Sequence, residues 1–209
     1  MKIAFALYDG FTALDAVGPY QVLSLMPGAE VTWVAEQAGP LRNDVRSLGM
    51  IADATFADMP DPDIVVVPGA PAPPLEGPLT EWLRAVDPTT TWTTSVCTGS
   101  LILASAGLLT GRPATTHWTA YDQLAALGAK PTSRRVVFDG KYVTAAGVSA
   151  GIDMGLTLAA KLAGEDVARV IQLTIEYDPQ PPFDAGSPDK APASITQSVR
   201  NLLAAAQPG

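Results

Sequence analysis

The sequence of 209 residues has few of the residue types on which many protein functions depend. It contains a single cysteine, Cys97, and a single histidine, His117. One cysteine excludes an intramolecular disulfide and a cysteine-based zinc finger, and one histidine excludes a multi-histidine metal site. The acidic residues form no evident cluster along the sequence, so we expect a protein that binds no metal.

Positive charge and long apolar runs are scarce as well. Lys and Arg number 13 against 21 Asp and Glu, and the resulting net charge of −8 argues against a nucleic-acid partner. The longest apolar stretches, near residues 64–67 and 101–109, are too short to cross a membrane. The first residues lack the basic start and apolar run of a signal peptide. We therefore expect a cytoplasmic protein with a free thiol and no membrane partner.

The rest of the composition favours one folded domain over residues 1–209. Hydrophobic residues make up 47% of the chain, which is enough for a sizeable core without disulfides. Apolar runs and turn signals predict strands at 3–8, 30–35, 63–67, 91–96, 136–138 and 142–144, with a shorter one near 50–52. They predict helices at 12–26, 79–86, 98–109, 118–127, 149–162, 166–177 and 193–206, the first kinked or divided at Gly18-Pro19. This alternation predicts an α/β sandwich with a mostly parallel central sheet flanked by helices.

Cys97 lies where the predicted strand 91–96 ends and the next helix begins. A sharp turn from strand to helix lifts a nucleophilic side chain out of the sheet, as in the serine elbow of hydrolases. The same position places the sulfur at a helix N-terminus, which favours the thiolate. Most free cysteines are small buried side chains, and position alone leaves both interpretations open. We interpret His117 as structural, because the sequence does not bring its ring near the sulfur.

Three other positions are candidate site residues. Thr98 offers a hydroxyl to a reacting atom, although threonine is also common at helix starts. Asp15 stands among apolar neighbours and either lies in water or faces inward, where burial would raise its pKa and allow it to shuttle a proton. Gly69 follows the strand 63–67, and it either presents a backbone N–H to developing negative charge or simply makes a turn.

Taken together, these residues resemble the ThiJ/PfpI superfamily, related to class I glutamine amidotransferases, and within it the isonitrile (isocyanide) hydratase branch. The resemblance covers almost the whole chain. It is carried by Leu14-Asp15 with Gly18-Pro19, Val67-Pro68-Gly69, Thr94-Ser95-Val96-Cys97-Thr98-Gly99-Ser100, Ala114-Thr115-Thr116-His117-Trp118, Ala150-Gly151-Ile152-Asp153 and the tail 181–189. One position departs from the pattern: Ala70 follows Pro68-Gly69 where a second glycine is usual, and its Cβ would be strained if φ were positive.

The resemblance implies a flavodoxin-like sandwich, a homodimer, and hydration of a small-molecule isocyanide to an N-formamide without a cofactor. By this likeness Cys97 is the nucleophile and forms a covalent thioimidate, Asp15 moves the proton, and Thr98 positions Asp15, water or the substrate. The backbones of Gly69 and Ala70 would bind developing negative charge. Thr98 stands where protease-like members have histidine, so a protease reaction would lack its base. We expect Cys97 thiolate beside a protonated Asp15 near neutral pH.

Three alternatives stay open. The wider superfamily contains glyoxalases, so the chain could be a glyoxalase-like aldehyde hydrolyase, which methylglyoxal consumption would reveal. A low-pKa thiol could also serve as an oxidation sensor that forms a sulfinate and turns over nothing. The third alternative is a small-molecule sensor domain, whose ligand binding would survive Cys97→Ser. AraC-type regulators share this domain and append a helix-turn-helix region, which we do not expect in this acidic chain.

Overall fold

The computed structural model describes residues 1–205, which form eleven strands and seven α-helices. The strands are β1 (Lys2–Ala6), β2 (Glu30–Ala35), β3 (Gly39–Arg42), β4 (Gly49–Ala52), β5 (Ala54–Thr55), β6 (Ile64–Val67), β7 (Trp92–Val96), β8 (Pro113–Ala114), β9 (Lys130–Pro131), β10 (Val136–Asp139) and β11 (Tyr142–Ala145). The helices are α1 (Ala13–Leu23), α2 (Pro78–Val86), α3 (Gly99–Ser105), α4 (Tyr121–Ala126), α5 (Ala150–Ala163), α6 (Glu165–Thr174) and α7 (Ala193–Ala205). The helix predicted at the C-terminus included Ala206, which lies outside the described residues.

Seven strands form one sheet in the order β10-β11-β7-β6-β1-β2-β5. All neighbouring strands in it run parallel except β10 and β11, which form the expected hairpin. The central strand β6 is Ile-Val-Val-Val and is fully buried, as is typical of a parallel strand covered by helices on both faces. The predicted flavodoxin-like sandwich with a mostly parallel central sheet is therefore confirmed.

The alternating side chains of the central strands divide the core into two apolar layers. Val65 and Val67 pack in one layer with α2, α3 and α4. Ile64 and Val66 point to the other face and pack in the second layer with α1, α5 and α6. Because both faces are covered, the open edge of the sheet at the carboxyl ends of its strands is left to form a site.

The first helix differs from the prediction. Helix α1 is continuous from Ala13 to Leu23, so Gly18-Pro19 does not divide it, and the other expected outcome, a kink there, stays a prediction. The ring of Pro19 packs closely on α5, since a Cβ added to Gly151 would lie 2.9 Å from Pro19 Cδ. This contact with α5 compensates for the backbone hydrogen bond that a proline inside a helix removes.

The helix after Cys97 is shorter than predicted. It ends at Ser105 rather than at residue 109, because the chain turns at Gly107, whose φ is +84°. The sequence also did not predict β3, which pairs with β4 in a separate antiparallel hairpin. That hairpin lies beside the main sheet, and its turn carries Asp44 towards the site described next.

None of the helices described is long and apolar enough to cross a membrane.

Candidate active site

Cys97 stands on a tight elbow between β7 and α3. Its φ is +57°, which a side chain other than glycine rarely adopts. Its N–H donates to the carbonyl oxygens of Ala145 and Ala146, both at 3.1 Å, and these bonds fix the turn against the end of β11. The sequence prediction of a cysteine at a strand-to-helix elbow agrees with this geometry.

Gly99 permits the elbow by having no side chain. A Cβ at this position would overlap the carbonyl oxygen of Val67 and would lie 3.0 Å from the carbonyl carbon of Pro68. The start of α3 therefore packs directly on the backbone at the end of β6. This close approach sets Cys97 beside the loop that follows β6.

Asp15 faces inward from the first turn of α1 and has no exposed surface. Its Oδ2 accepts the backbone N–H of Gly69 at 2.9 Å. Burial raises the pKa of the carboxyl to about 7, although hydrogen bonds from the Gly69 amide and the Cys97 thiol lower it in part. The inward orientation, one of two that the sequence left open, brings Asp15 and Cys97 together.

Cys97 is buried, with 6% of the residue exposed, and backbone N–H groups lie near its sulfur. Burial raises the pKa of the thiol, and the negative charge of Asp15 raises it further. Hydrogen bonds from the backbone N–H groups of Val148 and Thr98 oppose this rise. Val148 has a φ of +36°, so a second strained residue presents its N–H to the sulfur.

Asp15 and Cys97 form a buried pair of acids whose protonations are coupled. The carboxyl starts from an ordinary pKa of 3.8 and the thiol from 9.0, and burial raises both. Because each negative charge disfavours the other, the pair loses its two protons in separate steps. The expected state near pH 7, a thiolate beside a protonated Asp15, stays a prediction.

Thr98 and Ala70 bind each other across the elbow. The Thr98 hydroxyl donates to the Ala70 carbonyl oxygen at 2.6 Å, and the Ala70 N–H donates back to Thr98 Oγ1 at 2.8 Å. Ala70 is absent from the residues with positive φ, so its Cβ causes no backbone strain. The amides of Gly69 and Ala70 both have protein partners, and their binding of substrate charge stays a prediction.

A cavity of about 350 Å³ opens over Cys97. Besides Cys97, its wall consists of Thr12, Asp44, Ala70, Pro71, Thr98, His117, Thr119, Ala120, Gln123, Val148, Arg200 and Leu203. The cavity combines apolar surface with a few polar groups, as small-molecule sites do. In the described part of the chain, no three or more His, Cys, Asp or Glu side chains are grouped to hold a metal ion.

His117 lines the same cavity as Cys97. The sequence alone did not predict that the histidine lies in the site. Its Nδ1 lies 2.7 Å from Thr119 Oγ1 and accepts the Thr119 N–H at 3.4 Å. Burial lowers the pKa of the ring, so the imidazole is neutral at physiological pH. The sequence feature that could have indicated this position is the segment Thr115-Thr116-His117-Trp118, one of those that carry the family resemblance.

Asp44, Thr12 and the residues of α7 were also missed. Asp44 lies in the turn of the β3–β4 hairpin, far in sequence from the elbow, and no local pattern marks it. Arg200 and Leu203 of α7 cover the cavity, and the Arg200 guanidinium stacks over the Trp118 ring at 4.8 Å. The cover on the site is therefore α7, and no residue of the Pro-rich segment before it lines this cavity.

Together, the fold and the site define a class: an α/β protein with a cysteine at a strand-to-helix elbow and a buried carboxyl beside the thiol. Residues 1–161 match the sequence model of the DJ-1/PfpI family. The chain belongs to the DJ-1/PfpI family, also called ThiJ/PfpI, and the predicted superfamily is thus confirmed.

Individual relatives extend this likeness to nearly the whole chain. The isonitrile hydratase of Pseudomonas putida is 42% identical over 210 residues, which cover 98% of this chain and 90% of that enzyme. A ThiJ/PfpI family protein from Pseudomonas syringae has a crystal structure that matches with a TM-score of 0.94 and 39% identity, over 98% of this chain and 86% of that one. An HTH-type transcriptional regulator from Pseudomonas aeruginosa is 32% identical over 78% of this chain, which spans only 51% of the regulator.

Proposed function

We propose that this protein hydrates an isocyanide to an N-formamide, as an isonitrile hydratase. The likeness to the Pseudomonas putida isonitrile hydratase, at 42% identity over almost the full chain, supports this reaction. The structural observation that carries it is the buried Asp15 carboxyl, held at the loop of Gly69, next to the elbow whose Cys97 lines the cavity. A nucleophile with an adjacent proton acceptor is what addition to the isocyanide carbon requires.

The first half of the reaction forms a covalent adduct. The Cys97 thiolate attacks the terminal carbon of R–NC while Asp15 carries the proton of the pair. A new C–S bond forms, and Asp15 delivers the same proton to that carbon. The product is a thioimidate in which R–N=CH– is bonded to the Cys97 sulfur, and Asp15 is then ionised. A pKa of about 7 suits a group that must both take and give this proton.

The second half uses water. Asp15 accepts a proton from the attacking water, whose oxygen bonds to the thioimidate carbon, and the proton passes to the substrate nitrogen. The C–S bond then breaks as the C=O bond forms, and the hydroxyl proton returns to the sulfur. The formamide R–NH–CHO leaves with the thiol restored. These steps need only proton transfers and one covalent intermediate, so the proposal includes no cofactor.

Thr98, Gly69 and Ala70 have supporting roles in this proposal. The Gly69 amide holds Asp15 against the thiol through its 2.9 Å hydrogen bond. Thr98 pins Ala70, and with it the loop after β6, to the elbow. We assign Thr98 the positioning of Asp15 and the water, and the Gly69 and Ala70 backbones the binding of charge on the substrate. The proposal also includes a homodimer in the cytoplasm.

The test is an ultraviolet assay of an aromatic isocyanide with wild type, Cys97→Ala and Asp15→Asn, with formamide identified by mass spectrometry. We expect formamide from wild type and a loss of at least about a thousandfold in both variants, because each lacks one reacting group. Activity that survived in Cys97→Ala would refute the covalent mechanism. Absence of formamide from wild type would refute the function, and methylglyoxal would then be the next substrate tried.

A further inference from the structure

Thr12 at the start of α1 does not cap its helix. It occupies the N-cap position with extended backbone angles, yet its side chain makes no capping hydrogen bond. A threonine side chain that caps a helix stabilises it. Its hydroxyl instead donates to Asp44 Oδ2 at 2.8 Å, across to the β3–β4 hairpin. The Thr12 hydroxyl thus binds Asp44 and does not stabilise the start of its own helix.

Asp44 is a partly buried carboxylate in the wall of the cavity over Cys97. Besides Thr12, it accepts the Val45 N–H at 2.8 Å and the Asn43 side-chain amide at 3.0 Å, both on Oδ1. A carboxylate has about four acceptor sites, so the one left open is on Oδ2, beside Thr12. No Lys, Arg or His among residues 1–205 forms an ion pair with Asp44.

We propose that Asp44 is a positioning residue of the site, held by Thr12 so that an unpaired negative charge stands near the Asp15–Cys97 pair. The inference rests on the proposed function. Thr12 and Asp15 are three residues apart at the start of α1, and the Asp15 N–H bonds the Thr12 carbonyl oxygen at 3.1 Å, so the pair and Asp44 share one support.

The charge of Asp44 acts on the proton that Asp15 handles. After burial, the negative charge of Asp44 is the other cause that raises the pKa of Asp15. The remaining ionisable neighbours of Asp15 are Cys97 and Tyr8, and the Tyr8 hydroxyl is neutral because burial raises its pKa well above the ordinary value. His117 is neutral, and Arg200 stands at the α7 side of the cavity over Trp118. Asp44 therefore keeps Asp15 able to hold a proton near neutral pH.

The test replaces Asp44 by Asn, which removes the charge and keeps an oxygen for Asn43 and Val45. The bond to Thr12 reverses, because the Asn amide donates to the Thr12 hydroxyl instead of accepting from it. Because Asp15 would then lose its proton more easily, the acid limb of the kcat/KM profile should move to lower pH by about half a unit or more. The pKa of the Asp15 carboxyl, followed by a 13C NMR pH titration of the protein without substrate, should move in the same direction. Glu81→Gln, which removes one exposed charge on α2 away from the cavity, should move neither profile.

Unmoved profiles in Asp44→Asn, or an equal movement in Glu81→Gln, would overturn the inference. Asp44→Ser provides a second charge-free variant if the Asn protein does not fold. Thr12→Val should lower kcat/KM several-fold and Thr12→Ser should restore it, because only Ser supplies a donor to Asp44. The NMR titration of Asp15 needs no turnover, so it decides the role of Asp44 even if wild type makes no formamide.

Discussion

At the scale of single residues, removing the charge of Asp15 should have opposite effects on the reactivity of the Cys97 thiol and on hydratase activity. We predict that Asp15→Asn increases the rate of Cys97 alkylation by iodoacetamide at pH 7.5, by roughly tenfold for each unit by which the thiol pKa falls. The variant removes the negative charge that raises this pKa. The same variant should be inactive as a hydratase, because it has no carboxylate to carry the proton.

The rate is measured by intact-mass spectrometry over a pH series, and the sequence offers no other thiol to label. Glu81→Gln is the matched charge control and should react as wild type does. A rate in Asp15→Asn equal to that of wild type would mean that the two groups are not electrostatically coupled.

How far the site could be predicted depends on where each residue lies in the sequence. Cys97 and Thr98 follow a strand rich in Thr and Val, so the local sequence pattern was enough to predict that they lie at an elbow. Asp15 was readable only as a carboxylate in an apolar helix, and its inward orientation depends on packing against the loop at Gly69. Asp44 could not be predicted, because its position depends on how a hairpin outside the main sheet folds back on α1.

At the scale of elements, the junction of β6, β7 and α3 tolerates no added atoms. We predict that Gly99→Ala destabilises the protein by about 2 kcal/mol or more and abolishes hydratase activity, because the methyl group would overlap the Val67 carbonyl oxygen. Urea denaturation and the isocyanide assay measure the two effects. Gly186→Ala is the matched control, since nothing lies within 4 Å of its added Cβ and its φ is not positive.

An unchanged midpoint in Gly99→Ala would mean that the elbow can widen without strain.

Packing between elements explains why the sequence prediction for the first helix was wrong. Propensity alone expects Pro19 to interrupt α1, whereas close packing on the Gly151 backbone keeps the helix continuous. Glycines at such contacts are visible in a sequence, but the partner that approaches them is not.

At the scale of the whole molecule, the buried Asp15 makes stability depend on pH. Its pKa is raised from 3.8 to about 7, so the folded state holds a proton that the unfolded state releases. Folding therefore loses free energy as pH rises from about 4 through 7. We predict that Asp15→Asn gains stability relative to wild type over this range, by a few kcal/mol at pH 8.

The measurement is the difference in unfolding free energy between the two proteins at pH 4.5, 6 and 8, from urea titrations. The difference is needed because Asp9 and Asp58, whose pKa values are lowered by hydrogen bonds, give wild type an opposite trend that cancels between variants. A difference that did not change with pH would contradict the raised pKa of Asp15.

The overall fold was the most predictable level. Alternating apolar strands and amphipathic helices determine a covered parallel sheet, and the structure of the described residues has that arrangement. The single domain over residues 1–209, the homodimer and the cytoplasmic location stay predictions. Sedimentation velocity would test the dimer, to which exposed apolar side chains such as Leu173, at 78% exposure, could contribute contact surface.

At Cys97 and Val148, whose φ angles are positive, selection for stability and selection for activity favour different residues. A left-handed backbone costs a residue with a side chain about 1–2 kcal/mol, a penalty from which glycine is exempt. Selection for heat resistance alone would therefore favour glycine at both positions. At the first it would delete the sulfur, and at the second it would loosen the amide that the sulfur accepts. Lineages that keep the chemistry must recover that stability elsewhere in the sequence, and lineages that abandon it are free to drift.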